Sequence, residues 1–248
     1  MNTPDNVYFY ATCLVDLVYP QAGQAAMALI ESAGIRVIFP ADQTCCGQPA
    51  FNSGYRNEAR EVVRRQLDCF ERPIPIVVPS ASCAGMVKHH WPELFAGEAE
   101  EDQVRGIAKR VYELTEFLVE VLHLELTDYG EPVRVAVHNS CSAHREMGVT
   151  RHIGQLLEQL TQVEVVEPLH ATECCGFGGT FAVKQAEISG AMVQDKCRDI
   201  VDTGASRVVS QDCGCLMNIG GALEKSQAEV LVQHIAEFLR ERSFESKR

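Results

Sequence analysis

The sequence predicts an α/β fold of two pseudo-symmetric halves, each built on a parallel sheet. Three observations carry that expectation. Apolar, β-branched runs alternate with amphipathic segments, the pattern of strands buried on both faces by crossover helices. The order of segments starts again at about residue 128. The cysteines recur at nearly constant offsets in the two copies. At 248 residues and 46% hydrophobic content, the chain can bury one large core or two similar ones.

Taken in order, the first half offers strands at Val7–Ala11, Arg36–Phe39 and Ile74–Val78. Helices are expected at Gln21–Ala33, Asn57–Phe70, Ala84–Phe95 and Arg105–Leu122. Gly34 is placed to end the first of these as a C-cap. Glu98–Asp102 reads as solvated surface, and Asp128-Tyr129-Gly130-Glu131-Pro132 as a turn. Beyond it come strands at Val133–His138, Val163–Glu167 and Arg207–Ser210, with helices at Thr150–Leu160 and about Val183–Thr203.

The two copies align through their cysteines: FYATC at Cys13 with VHNSC at Cys141, FPADQTCCGQP with EPLHATECCGFGG, and VPSASCAGM at Cys83 with SQDCGCLMN at Cys215. The offsets are 128, 129 and 132 residues. This places a first repeat at residues 1–127 and a second at 128–248, each Rossmann-like, with its cysteines at the C-terminal ends of the strands. Open α/β sheets bind their ligands at that edge.

The net charge is −12, from 34 acidic and 22 basic residues, and no basic cluster offsets it. Nucleic acid and anionic lipid are therefore poor partners. The N-terminal stretch has no basic leader and contains Asp5 and Asp16, and no run approaches the roughly 18 apolar residues of a membrane span. A soluble, cytoplasmic protein without membrane insertion is expected. In a reducing compartment an odd count of eleven cysteines points to metal or redox chemistry rather than disulfides.

Cys13 is followed after 31 residues by Cys45-Cys46, and after 36 more by Cys83. Four thiolates are what an iron–sulfur cluster or a tetrahedral zinc site requires. The second half offers Cys141, then Cys174-Cys175 after 32 residues, then Cys213 and Cys215. Adjacent cysteines diverge along extended backbone and converge on one small ion only through a sharp turn. A polynuclear cluster is easier to hold, so iron–sulfur, one or two clusters per chain and most simply [4Fe-4S], is favoured over zinc at one site. Gly47, and then Gly176, Gly178 and Gly179, permit such a turn and bring backbone N–H groups toward sulfur. Cys69 and Cys197 fall in helical patterns and are bystanders.

The loop Gly176-Phe177-Gly178-Gly179 lacks the order of a dinucleotide-binding motif, and there is no phosphate-binding lysine pattern. His138 and His144 flank Cys141. Either could serve as a ligand or proton carrier, but a histidine near a strand end is more often simply hydrogen-bonded or exposed, and both are read so; His89-His90 and His170 carry no ligand spacing.

The strings TCLVD, CCGQPAFNSGY, SCAGM, CCGFGGTF and DCGCLMNIGG resemble the duplicated cysteine-rich CCG domain of the B subunit of heterodisulfide reductase and related iron–sulfur oxidoreductase subunits. Within that family they are most similar to the lactate utilization A group, across both halves. The resemblance implies an iron–sulfur subunit of a system oxidising L-lactate to pyruvate, with lactate utilization proteins B and C as partners. One departure stands out: the heterodisulfide reductase motif ends each repeat in C-x-x-C, where this chain has Met86 and Asn218. Three functions follow as expectations. The leading one is an electron-transfer subunit; the others are a catalytic thiol or disulfide reductase and a zinc-stabilised scaffold.

Overall fold

In the computed structural model, which describes residues 3–244, the chain divides into two units, Met1–His123 and Leu124–Arg248. The first begins with β1 (Asn6–Phe9), whose Val7, Tyr8 and Phe9 are buried as the apolar run requires. Next come α1 (Thr12–Leu17), α2 (Pro20–Ser32), β2 (Arg36–Ile38), α3 (Gln48–Asn52) and α4 (Arg56–Leu67). They are followed by β3 (Ile76–Val78), α5 (Ala81–Gly85), α6 (Trp91–Leu94), α7 (Glu101–Ala108), β4 (Val111–Glu113) and α8 (Leu114–Glu116). Pro20 opens α2 with its fixed φ, and Gly34 ends it at φ +81° with its N–H on the Glu31 carbonyl.

All strands pair in parallel in the order β2-β1-β3-β4. The three strands that precede the cysteines are thus neighbours, with β1 in the middle. Trp91, Tyr10, Phe9 and Phe70 are fully buried, and the Tyr10 ring stacks at an angle on Phe70 and Trp91. Burying a phenylalanine such as Phe9 or Phe70 contributes about 1.5–3 kcal/mol.

The second unit repeats the plan. It contains β5 (Val133–Val137), α9 (Thr150–Leu157), β6 (Val163–Val166), α10 (Phe181–Lys184), α11 (Ala186–Asp202), β7 (Arg207–Ser210), α12 (Cys213–Lys225), β8 (Leu231–His234) and α13 (Ile235–Ser243). Its strand order, β6-β5-β7-β8 and all parallel, matches that of the first unit. The α/β class, the parallel sheets and the likeness of the halves are as the sequence predicts.

Two strands depart from the sequence reading. The segment Arg105–Leu122 is not one helix: α7 stops at Ala108, and Val111 pairs with Ile76 to make β4. Leu231–His234 forms the matching β8 beside β7. Both are short edge strands made by pairing with a sheet already present, which local periodicity does not encode. The helix expected at Val183–Thr203 is interrupted at Gln185, whose φ is −127°.

The turn ahead of β5 is fastened to the C-terminal helix. Arg242 donates through Nε and Nη2 to the Asp128 carboxylate at 2.9 Å each and through Nη1 to the Glu131 carbonyl at 2.6 Å. Asp128 also accepts from the Gln162 and Gly130 N–H groups. No helix among the described residues is long and apolar enough to cross a membrane.

Candidate metal centres

Cys13 lies in the first turn of α1 past the end of β1, Cys45 and Cys46 in the loop after β2, and Cys83 in α5 past the end of β3. Three adjacent strands therefore deliver four thiols to one sheet edge. Cys13 Sγ lies 3.7 Å from Cys45 Sγ, and Cys46 Sγ 3.3 Å from Cys83 Sγ. With metal–sulfur bonds of ~2.3 Å, two thiolates on one tetrahedral metal atom stand about 3.8 Å apart. The donor set and its spacing fit a thiolate-held metal centre.

The loop that carries the cysteine pair is pinned from several sides. The Ala11 N–H donates to Gln43 Oε1 at 2.8 Å, and Gln43 Nε2 donates to the Phe9 carbonyl at 3.1 Å, which ties the loop to the end of β1. The Trp91 indole N–H donates to the Cys46 carbonyl at 2.9 Å. Gly47, at φ +87°, turns the backbone so that its own N–H faces Cys45 Sγ at 3.5 Å. Thr12, a β-branched residue at φ +67°, takes the chain into the turn that presents Cys13.

Hydrogen bonds among the four thiols set their ionisation. Cys45 accepts from Cys13 and from the Gly47 N–H, and these bonds, with the adjoining Cys46, bring its pKa down to about 3 despite burial. Cys13 moves up chiefly because it donates to Cys45 and then because of burial, and Cys46 moves up because of its neighbours Cys45 and Cys83, the second of which takes its hydrogen bond, and then because of burial.

The second unit repeats the arrangement with different neighbours. Cys141, Cys174, Cys175 and Cys215 lie near enough to shift one another's ionisation. All four thiols are raised. In Cys141 the neighbouring Cys174 thiol leads, followed by burial. In the other three one neighbouring thiol lowers the pKa, Cys141 for Cys174, Cys174 for Cys175 and Cys175 for Cys215, and this is outweighed by burial, joined by Cys175 in Cys174, by Cys215 in Cys175 and by the Asp212 charge in Cys215. Gly176, at φ +81°, again aims its N–H at the first thiol of the pair, Cys174 Sγ, at 3.4 Å. A Cβ there would stand 2.8 Å from the Ser189 carbonyl oxygen, so this turn admits glycine alone.

Cys213 is buried in the first turn of α12, two residues before Cys215. Helical residues two apart lie about 200° around the axis, so the two thiols leave the helix on different faces. Gly214 between them sits against Phe177, whose ring carbons come within 2.5 Å of where a Cβ would be. Cys69 lies on the 3₁₀ turn Asp68–Phe70, its thiol toward the Arg65 carbonyl at 3.9 Å. Cys197 is in the apolar core of the second unit, toward the Ile219 carbonyl at 3.6 Å, and burial pushes its pKa up to about 11.

Met86 and Asn218, where the fuller motif has a further cysteine, do other things. Met86 is fully buried core. Asn218 Nδ2 donates to the Cys175 carbonyl at 2.8 Å, the same service that Trp91 performs for Cys46.

Two further polar residues are buried beside these thiols, His138, which the sequence reading placed second as a ligand, and Tyr10, which it did not single out. His138, next after β5, is 2% exposed, and neither ring nitrogen has a hydrogen-bond partner among the described residues. It is not the hydrogen-bonded or exposed histidine expected at a strand end. Its ligand atom, Cys175 Sγ and Cys215 Sγ all lie within 4.8 Å of one another. Burial, and then the Lys196 charge, lowers its pKa to about 3, so the ring is neutral.

Tyr10 stands at the matching place in the first repeat, three residues before its cysteine. It is fully buried, and its hydroxyl has no partner among the described residues. Burial, followed by the charges of Cys46, Cys83, Cys45 and Cys13, raises its pKa well above the usual phenol value. An unsatisfied buried polar group costs about 1–3 kcal/mol, and both sites tolerate one. The pairing of FYATC with VHNSC held the signal that marks these two positions as equivalent. His144, by contrast, is exposed.

Comparison with known proteins agrees with this architecture. The cysteine-rich domain CCG matches residues 7–88 and again 135–220. Lactate utilization protein A of Geobacillus sp. (strain WCH70) is 44% identical over 239 residues, covering 95% of this chain and 99% of that protein. Lactate utilization protein A of Anoxybacillus flavithermus is 43% identical over 238 residues, covering 96% and 100%. A hypothetical protein of Helicobacter pylori of known crystal structure shares the fold, with a TM-score of 0.66 and 12% identity over 99% of this chain and 50% of that one. The chain therefore belongs to the duplicated CCG cysteine-rich domain family and, within it, to the lactate utilization protein A group.

Proposed function

We propose that this chain is the iron–sulfur electron-transfer subunit of a system that oxidises L-lactate to pyruvate, working with proteins of the lactate utilization B and C types. The observation that carries the reading is the gathering of four thiols past the strand ends in each unit, taken with full-length relatives that bear the lactate utilization name. Cys13, Cys45, Cys46 and Cys83 are the ligands in the first unit; Cys141, Cys174, Cys175 and Cys215 are those in the second, with Cys213 buried close by in sequence.

Converting the secondary alcohol of lactate to the ketone of pyruvate releases two electrons and two protons. An iron–sulfur cluster, when bound, accepts and passes on single electrons. The protein's part is to hold and shield. Gly47 and Gly176 direct N–H dipoles at Cys45 and Cys174, which favours bound thiolate charge. Cys46 and Cys175 are buried, whereas Cys13, Cys45, Cys141 and Cys174 are half-buried, so each site reaches toward the surface where a redox partner can approach. The sequence has no flavin or nicotinamide motif, which assigns the lactate-oxidising step to a partner. The reconstituted chain alone should give no lactate-dependent dye reduction, and adding the two partners should restore it. Lactate oxidation by the isolated chain would make it the catalytic subunit instead.

A zinc-stabilised scaffold is the second reading. It is favoured by the His138–Cys175–Cys215 group, whose spacing also suits a single tetrahedral ion.

A further inference from the structure

Three residues before Cys13 and Cys141, the two repeats carry different polar side chains at an otherwise equivalent place, Tyr10 and His138. Both are buried, and their polar atoms have no partner among the described residues. A buried imidazole with two unbonded nitrogens is rare unless something occupies the space it faces. Here that space is shared with Cys175 and Cys215, whose sulfurs lie within 4.8 Å of the imidazole ligand atom. His138 is also held in register: its backbone N–H donates to the Val209 carbonyl at 2.9 Å, which extends the β5–β7 ladder by one residue and fixes where the ring projects.

We propose that His138 is a nitrogen ligand of the metal centre in the second unit, which makes that centre a mixed thiolate–imidazole site while the first unit's is held by thiolates alone. The inference rests on the metal-centre reading above. Imidazole with thiolate is an established donor set for iron and for zinc, and one metal–nitrogen bond satisfies one of the two unbonded ring atoms. It also accounts for the absence of a fifth cysteine at the end of the second repeat. Asn218 has taken over the fastening of the Cys174-Cys175 loop, and a donor from the strand end replaces the one lost from the helix. A neutral ligand in place of an anionic one raises the reduction potential of a cluster, so the second centre should be the more easily reduced.

The test uses the full chain, produced with ¹⁵N-histidine and reconstituted anaerobically with iron and sulfide. Pulsed electron paramagnetic resonance of the reduced protein should show a ¹⁵N coupling of directly bonded size. His138→Asn should abolish it. His138→Cys should retain the iron, lack the coupling and lower the potential of one centre, a combination that a purely structural histidine would not produce. The labelled wild-type protein decides the matter even if a variant fails to fold. Full iron and sulfide without the coupling, or a coupling that survives in His138→Asn, overturns this inference alone. A chain that takes up neither iron nor sulfide overturns both the inference and the reading beneath it.

Discussion

The side-chain amide of Asn218 donates to the carbonyl of Cys175 at 2.8 Å, tying the first turns of α12 to the loop that carries the second cysteine pair. Replacing Asn218 by Ala removes a donor and leaves a part-buried carbonyl unmet, a loss of about 1 kcal/mol. Urea unfolding should register that small change. Release of iron to a chelator should quicken far more, because the bond holds the ligand loop rather than the core. Unchanged release would show that the loop is held by other means.

Gly47 and Gly176 occupy the same turn, yet substitution should separate them. Both sit in the left-handed region, where a side chain costs about 1–2 kcal/mol. At Gly176 an added Cβ would also stand 2.8 Å from the Ser189 oxygen and 3.0 Å from Met192 Cβ, whereas at Gly47 the nearest atom is 3.4 Å away. Gly176→Ala should therefore lower stability clearly more than Gly47→Ala in denaturant titrations. Equal losses would contradict the packing argument.

The Asp128–Arg242 pair is sealed, with side-chain exposures of 0% and 5%. Removing one member of such a pair strands the other, so Asp128→Asn should cost about 3–5 kcal/mol. Burial alone would raise the Asp128 pKa, but Arg242 and the Gln162 and Gly130 N–H groups outweigh it and hold the value below normal. A depressed carboxyl stabilises the fold above its unfolded pKa of about 3.9, and that contribution is lost as pH falls through the folded value. Acid titration of wild type and Asp128→Asn should converge in stability at the low end; parallel curves would dismiss the linkage.

Much of this was legible in the sequence, because parallel strands and repeated cysteine spacing are local patterns. Val7–Phe9 and Ile76–Val78 announce themselves as buried strands, and the offsets between Cys13 and Cys141 or Cys83 and Cys215 expose the duplication. Val111–Glu113 and Leu231–His234 do not, since each becomes a strand only through the neighbour it pairs with. The burial of Tyr10 and His138 likewise depends on what packs around them. Asn218 reads in sequence as a missing thiolate, and only the structure reveals its bond to Cys175.

The two units should be separable by spectroscopy. Cys45→Ser or Cys46→Ser should remove one signal, and Cys174→Ser or Cys175→Ser a different one, because the thiols of each unit form a set of their own. Loss of one common signal and the same iron count from both pairs of variants would contradict a two-centre account.

Anaerobic purification followed by iron, zinc and acid-labile sulfide analysis separates iron–sulfur clusters on these thiols from zinc. Iron and sulfide should appear together in comparable amounts, with both lost when Cys45, Cys46, Cys174 and Cys175 are all replaced by serine. Stoichiometric zinc without sulfide would contradict it and leave a scaffold in place of an electron carrier.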